Sequence, residues 1–296
     1  MTTRSLKAEH LFSSQCMLGE SPFWHAKRQS FFWVDIENGK LFEHNLSAEM
    51  TTLVKTFPHR LTLVLAGKDN DLILALDRKI ASYDRESEEL KWLAEVESDL
   101  PINRFNDGKC DAKGRLWIGT LSREFTEGAA SLYKIGPNLK PEKMLDKLTI
   151  SNGIAWTEDN QTFYHIDTPT LQIKAYRFEL GSGQIEFDRI AIEIPEELGS
   201  PDGMCIDQEG MLWVAHYGGS GVYRWNPMTG KLIEKIELPV PNVTSCAFGG
   251  ENMNMLLITS AQENMSSEDL KSYPKSGDVF LVKTETKGID ANRFLY

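Results

Sequence analysis

An all-β fold is predicted for these 296 residues by three features. A unit of short strands recurs six times, its period is 42 to 50 residues, and no long segment of helical periodicity interrupts it. Four short strands per unit at that spacing describe propeller blades. The expected architecture is therefore a six-bladed β-propeller with four-stranded blades, built as one domain over residues 1–296.

Each unit is anchored on a polar turn followed by an apolar, β-branched or aromatic run, the pattern of a strand leaving a turn. The copies are "HAKRQSFFWVDI" from His25, "GKDNDLILAL" from Gly67, "DAKGRLWIGT" from Asp111, "TEDNQTFYHID" from Thr157, "DQEGMLWVAH" from Asp207 and "GGENMNMLLITS" from Gly249. Their starts lie 42, 44, 46, 50 and 42 residues apart. A further strand follows each copy: "GKLFEHN", "KIASYDR", "ASLYKIG", "QIKAYRF", "SGVYRWN" and "GDVFLVK". These carry the aromatics Phe42, Tyr83, Tyr133, Tyr176, Tyr223 and Phe280. A last strand such as "KLIEKIELP" closes most units. The segment "AEHLFSSQCML", before Glu20, is expected to supply the outer strand of the last blade and so close the ring. The Gly-His and Trp-Asp signatures of WD repeats are absent, which argues against that subclass.

Formal net charge is −11 and the sequence pI is about 5.1. An acidic balance argues against a nucleic-acid partner, which needs a basic stripe, but suits a cation site. Cys16, Cys110, Cys205 and Cys246 are far apart and form no CxxC pair, so neither a disulfide framework nor a thiolate zinc site is indicated. The first residues, "MTTRSLKAEHLFSSQC", lack the apolar stretch of a signal peptide, and no run approaches a membrane span. The expectation is a reduced, soluble, cytoplasmic protein, a monomer or weak oligomer with no membrane partner.

Five residues before each turn stand Glu20, Thr62, Asn106, Asn152, Asp202 and Thr244. All are polar, at the start of otherwise apolar strands. In a propeller the innermost strands line the axis and run the same way, so these positions converge at one end. Glu20, Asn152 and Asp202 present carboxylate or carbonyl oxygens, and Asn106 can join them. An all-oxygen ring with two negative charges is a hard divalent-cation site, and a cation resolves the repulsion between Glu20 and Asp202. The fold class thus includes a central axial metal site. Oxygen donors favour Ca²⁺, Mg²⁺ or Mn²⁺, while Zn²⁺ or Fe²⁺ can occupy such a site when available. The six histidines show no ligand spacing, which disfavours an imidazole-rich site.

Loops after second strands should cover the same mouth: "SREFTEGAA" with Arg123 and Glu124, "DTPT" from Asp167, "HYGGSG" from His216, and "AQENMSSEDLKSYPKSG" (261–277), long enough for a lid. Arg104 precedes Asn106 by two residues and is close enough to point into the mouth.

Taken in order, "GESPFW", "RFNDGKCD", "GRLWIGT", "ISNGIAW", "PDGMCIDQEGMLWVA" and "TSCAFGG" resemble the gluconolactonase family of sugar lactonases that includes senescence marker protein (regucalcin). The resemblance spans almost the whole chain. It implies a six-bladed propeller with one catalytic divalent metal that hydrolyses a sugar lactone to the aldonic acid. Carried over by residue, the implied metal ligands are Glu20, Asn152 and Asp202. Arg104, Asn106 and Glu124 fall on substrate-binding positions. Around Glu124, "TLSREFTEG" departs from the family's more acidic stretch, with Arg123 in place of an acidic neighbour.

The expected activity is metal-dependent lactone hydrolysis, with Asp202 as general base and a small-molecule sugar lactone as partner. Two other readings stand beside it: an organophosphate-hydrolase-like esterase on the same fold, and a calcium-binding regulatory protein whose site is not catalytic. The polar mouth favours a hydroxylated substrate over the first, and metal-dependent turnover separates the second.

Overall fold

The computed structural model describes residues 4–68 and 71–296. The chain enters through β1 (Arg4–Lys7) and β2 (Glu9–Phe12). The first blade follows as β3 (Gly19–His25), β4 (Ser30–Asp35), β5 (Lys40–Asn45) and β6 (Met50–Thr56). The second is β7 (Leu61–Ala66), β8 (Leu72–Leu76), β9 (Lys79–Tyr83) and β10 (Leu90–Glu95). The third is β11 (Asn103–Cys110), β12 (Leu116–Ser122), β13 (Ala130–Ile135) and β14 (Pro141–Leu148). The fourth is β15 (Ser151–Trp156), β16 (Thr162–Asp167), β17 (Gln172–Glu179) and β18 (Gln184–Glu193). The fifth is β19 (Ser200–Ile206), β20 (Leu212–Tyr217), β21 (Gly221–Asn226) and β22 (Lys231–Glu237). The sixth contains β23 (Val243–Gly249), β24 (Met255–Ser260) and β25 (Val279–Lys283), with a short helix α1 (Ser267–Ser272) between the last two.

Each blade is an antiparallel meander, and the protein is a six-bladed β-propeller. All six aromatic-bearing segments form third strands. As expected, the segment before Glu20 closes the ring: β2 pairs antiparallel with β25 as the outer strand of the sixth blade. One addition was not foreseen. β1 pairs parallel with β22, so the fifth blade has five strands.

The blade turns follow from their side chains. In "DAKGRLW", Asp111 accepts from the Lys113 and Arg115 N–H groups with Oδ1, and from Trp117 Nε1 with Oδ2. "DQEGMLW" repeats this with Asp207, Glu209, Met211 and Trp213. The glycines of these turns, Gly114 (φ +73°) and Gly210 (φ +78°), take the left-handed conformation that a side chain disfavours. Trp33, Trp117 and Trp213 are wholly buried on second strands and fill the space between blades.

Inner strands pack against one another around the axis in the order β3, β7, β11, β15, β19, β23 and back to β3. After β25 the chain crosses beneath the propeller. Gln208 N–H donates to Lys287 O, Phe294 N–H to Ala66 O and Leu295 N–H to Gly114 O, strapping the fifth, second and third blades together. Phe294 is fully buried in the core of the first three blades.

Candidate active site

Every inner strand slips register against its neighbour at one place. The slips fall between Glu20 and Phe23, Leu61 and Leu63, Phe105 and Gly108, Asn152 and Ile154, Pro201 and Met204, and Val243 and Ser245. All six polar positions therefore sit in or beside a β-bulge, which re-aims a side chain away from the regular pleat. This is how strands that are almost wholly buried present polar residues at their starts.

Hydrogen bonding separates the six. Thr62 Oγ1 donates to Ala75 O, and Thr244 Oγ1 donates to Gly19 O, so both threonines serve the backbone. Asn106 is also committed: its Nδ2 donates to Ser151 O at 2.9 Å and its Oδ1 accepts from Arg104 Nη1 at 2.9 Å. Asn152 differs. Its Nδ2 donates to Thr168 Oγ1 at 3.1 Å and to Asp202 Oδ1. The Thr168 hydroxyl donates to Pro201 O, so toward Asn152 it can only accept, which fixes the amide orientation. Asn152 Oδ1 is left buried with no donor among the described residues. Glu20 receives the Ser21 N–H, while Asp202 receives Asn152 and the Gly203 N–H. Each carboxylate has lone pairs to spare.

The electrostatics agree with the hydrogen bonds. Burial pushes the Glu20 carboxyl well above the usual range, and repulsion from Asp202 and Asp107 adds to that. Asp202 is likewise raised, chiefly by burial, with Asp107 and Glu263 contributing and the Asn152 hydrogen bond opposing. Two buried carboxyls with an orphaned amide oxygen beside them fit a hard divalent cation. Among the described residues no three His, Cys, Asp or Glu side chains gather as a metal-binding group.

Arg104 is buried at the same end and donates through Nη1 to Phe105 O at 2.8 Å and to Asn106 Oδ1. Burial lowers its pKa, and the fields of Glu37, Glu263 and Glu20 oppose that. Glu37 pairs with Arg60 at 2.9 Å on the rim. Glu263, at the start of the 261–277 loop, is held through its carbonyl by Tyr217 Oη and Asn242 Nδ2. The structure thus brings Glu20, Arg104, Asn106, Asn152 and Asp202 to one end of the axis. Glu124 is exposed in the loop after β12, which leaves the blade where Ser122 pairs with Asn103, and its N–H donates to Ser122 Oγ.

Sequence reasoning missed Asp107 and Glu263. Asp107 is buried in the bulge beside Asn106; its Oδ1 accepts from the Gly108 N–H and its Oδ2 finds no partner among the described residues. The polar neighbours Ser21 and Ser245 at equivalent positions were the available signal. Below the ring, a cavity of about 200 Å³ is lined by inner strands of all six blades and closed by residues 289–292 of the strap.

Residues 18–262 match the family described as the SMP-30/Gluconolactonase/LRE-like region. Regucalcin from Gallus gallus is 36% identical over 284 residues, 94% of each chain. Regucalcin from Macaca fascicularis is 35% identical over 283 residues with the same coverage. Among solved structures, a calcium-binding protein, regucalcin, from Agrobacterium tumefaciens is 28% identical, with 99% of each chain covered and a TM-score of 0.94. A gluconolactonase from Xanthomonas campestris, at 19% identity, 93% and 88% coverage and a TM-score of 0.75, shares the fold. Through this match along most of its length, the chain belongs to the SMP-30/gluconolactonase/LRE-like family.

Proposed function

We propose that this protein hydrolyses a sugar lactone to its aldonic acid and that the reaction depends on a divalent cation held by Glu20, Asn152 and Asp202. The observation that carries this reading is the orphaned Asn152 oxygen beside two buried carboxyls, next to a buried arginine. Membership of a gluconolactonase family supports the hydrolase class. The cation would offset the paired carboxylates and act as a Lewis acid on the lactone carbonyl.

The chain's own residues do the rest. Asp202, as a carboxylate, takes a proton from the water that attacks the lactone carbonyl carbon. When the ring C–O bond breaks, the same proton returns to the departing alkoxide, leaving a hydroxy acid. Arg104 keeps donors beyond those spent on Phe105 O and Asn106 Oδ1, and these bind substrate oxygens. Asn106, bonded to both Arg104 and Ser151, positions that guanidinium. Glu263 and Glu37 add acceptors for sugar hydroxyls at the rim.

The test is proton release from gluconolactone, xylonolactone and arabinonolactone by metal-stripped protein titrated with Ca²⁺, Mg²⁺, Mn²⁺, Zn²⁺ and Fe²⁺. Saturable turnover restored by metal supports the reading and ranks both ion and sugar. Stoichiometric metal binding with no turnover above spontaneous hydrolysis would move the site to a calcium-binding role like that of the Agrobacterium relative.

A further inference from the structure

Cys205 on β19 and Cys246 on β23 lie on neighbouring blades, with their sulfurs 3.7 Å apart. The strands are in unusually close approach just upstream. A Cβ on Gly203 would lie 2.1 Å from Ser245 Oγ and 2.9 Å from Ser245 Cα. A disulfide needs about 2.05 Å between sulfurs, so each has to move by less than about 1 Å. All four cysteines are free in this structure.

Both thiols line the axial cavity beneath the polar ring. Cys205 is partly exposed there, while Cys246 is 1% exposed. Lys109 shares that wall and donates to Met204 O, the residue before Cys205. Its positive charge opposes the rise in the Cys246 pKa and lowers the energy of a departing hydroxide. Burial pushes the Cys246 thiol well up, and the greater exposure of Cys205 makes it the sulfur that a peroxide reaches first.

We infer that Cys205 and Cys246 are a redox modification site, oxidised by a peroxide to a disulfide that staples the fifth blade to the sixth. The Cys205 thiolate attacks one peroxide oxygen, the S–O bond forms, the O–O bond breaks, and hydroxide leaves to become water. The Cys246 sulfur then attacks the Cys205 sulfur, the S–S bond forms, and the S–O bond breaks. The released hydroxide takes the Cys246 proton as a second water. Two thiols are oxidised by two electrons in all, and the peroxide is reduced. The site is distinct from the polar ring and does not depend on its proposed chemistry.

The experiment treats the full-length protein with hydrogen peroxide and maps its peptides under non-reducing conditions. The expected result is the loss of two hydrogens from the intact mass and a peptide linking Cys205 to Cys246, both reversed by dithiothreitol. Cys246→Ser should leave Cys205 as a sulfenic acid that dimedone traps, and Cys110→Ser should keep the link. The inference is overturned by a wild-type protein that gains oxygen at Cys205 without forming the link. It is equally overturned by a link between other cysteines, or by an unchanged mass at peroxide levels that oxidise free cysteine. The wild-type map decides the matter even where a variant fails to fold.

Discussion

Asn152 and Asp202, fifty residues apart in the chain, meet side chain to side chain between the fourth and fifth blades. The amide gives its N–H to the carboxylate and turns its unpartnered oxygen elsewhere. One contact thus fixes the Asp202 carboxylate and leaves a buried amide oxygen for the cation proposed above. Asp202→Asn should keep the fold, by circular dichroism, and lose about 10²-fold or more of lactone turnover. Asn152→Ala should weaken metal binding in calorimetry and leave the second strands intact. Full activity in Asp202→Asn would sink the assignment of the base.

Arg104 and Asn106 form a second coupled pair. Arg104→Lys loses the planar fork, so KM should rise about tenfold or more with a smaller change in kcat. Asn106→Ala should raise KM as well, because it frees the guanidinium. If Asn106 acts through Arg104, the double variant should be no worse than the more damaged single variant. Additive losses would give Asn106 its own contact with substrate.

Two buried histidines set an acid limit on stability. Burial pushes His165 down to about 3 and His216 to about 4 from an ordinary 6.5. Below about 6.5 the unfolded chain takes up protons that the folded one refuses. Their stabilisation is therefore complete above that value and is lost as pH falls toward the folded pKa, by roughly 5 kcal/mol for His165 and roughly 3 kcal/mol for His216. Raised carboxyls at the axis act with the opposite sign, favouring the metal-free fold at low pH and losing that contribution as pH rises. The informative comparison is between wild-type and His216→Phe. The variant keeps a ring against Tyr223, loses the bond to Leu198 O, and should show a smaller fall in urea midpoint between pH 7 and 5.

Gly203 makes room for Ser245, and Gly153 makes room for the Asp202 carbonyl, 2.7 Å from where a Cβ would stand. Gly203→Ala should cost about 1–3 kcal/mol in urea unfolding by overpacking, and it should also lower metal affinity, because Asp202 is the adjacent residue. A stable variant with unchanged affinity would mean that the bulge absorbs the strain without moving the carboxylate.

The blade repeat was legible because each turn carries its own chemistry. Asp111 and Asp207 bind the turn backbone and a tryptophan through the same atoms, so the sequence phase is also a spatial one. Glu20, Asn152 and Asp202 could be placed at the axis for that reason. Other features had no such phase. β1 joins the fifth blade by parallel pairing, and the strap below the propeller is irregular chain held by scattered backbone bonds. Asp107 escaped because the bulge puts two successive residues, not one, toward the axis, and alternation along a strand cannot show a bulge. Glu263 lies in a loop whose fold depends on Tyr217 and Asn242. Cys205 and Cys246 precede their turns by two and three residues, so no common register pairs them.

Closure of the sixth blade by β2 has a consequence for biosynthesis. The strand that completes the last sheet, β2, leaves the ribosome before the first blade, and its partner β25 emerges after the other strands of all six blades. From its own emergence until that of β25, β2 has no sheet to join, and β25 has an open edge until β2 docks on it. Blades one to five can fold as they appear, but the ring cannot shut until β25 has emerged. A nascent chain arrested before residue 279 should therefore bind chaperones and resist compaction even though most of its blades are already formed.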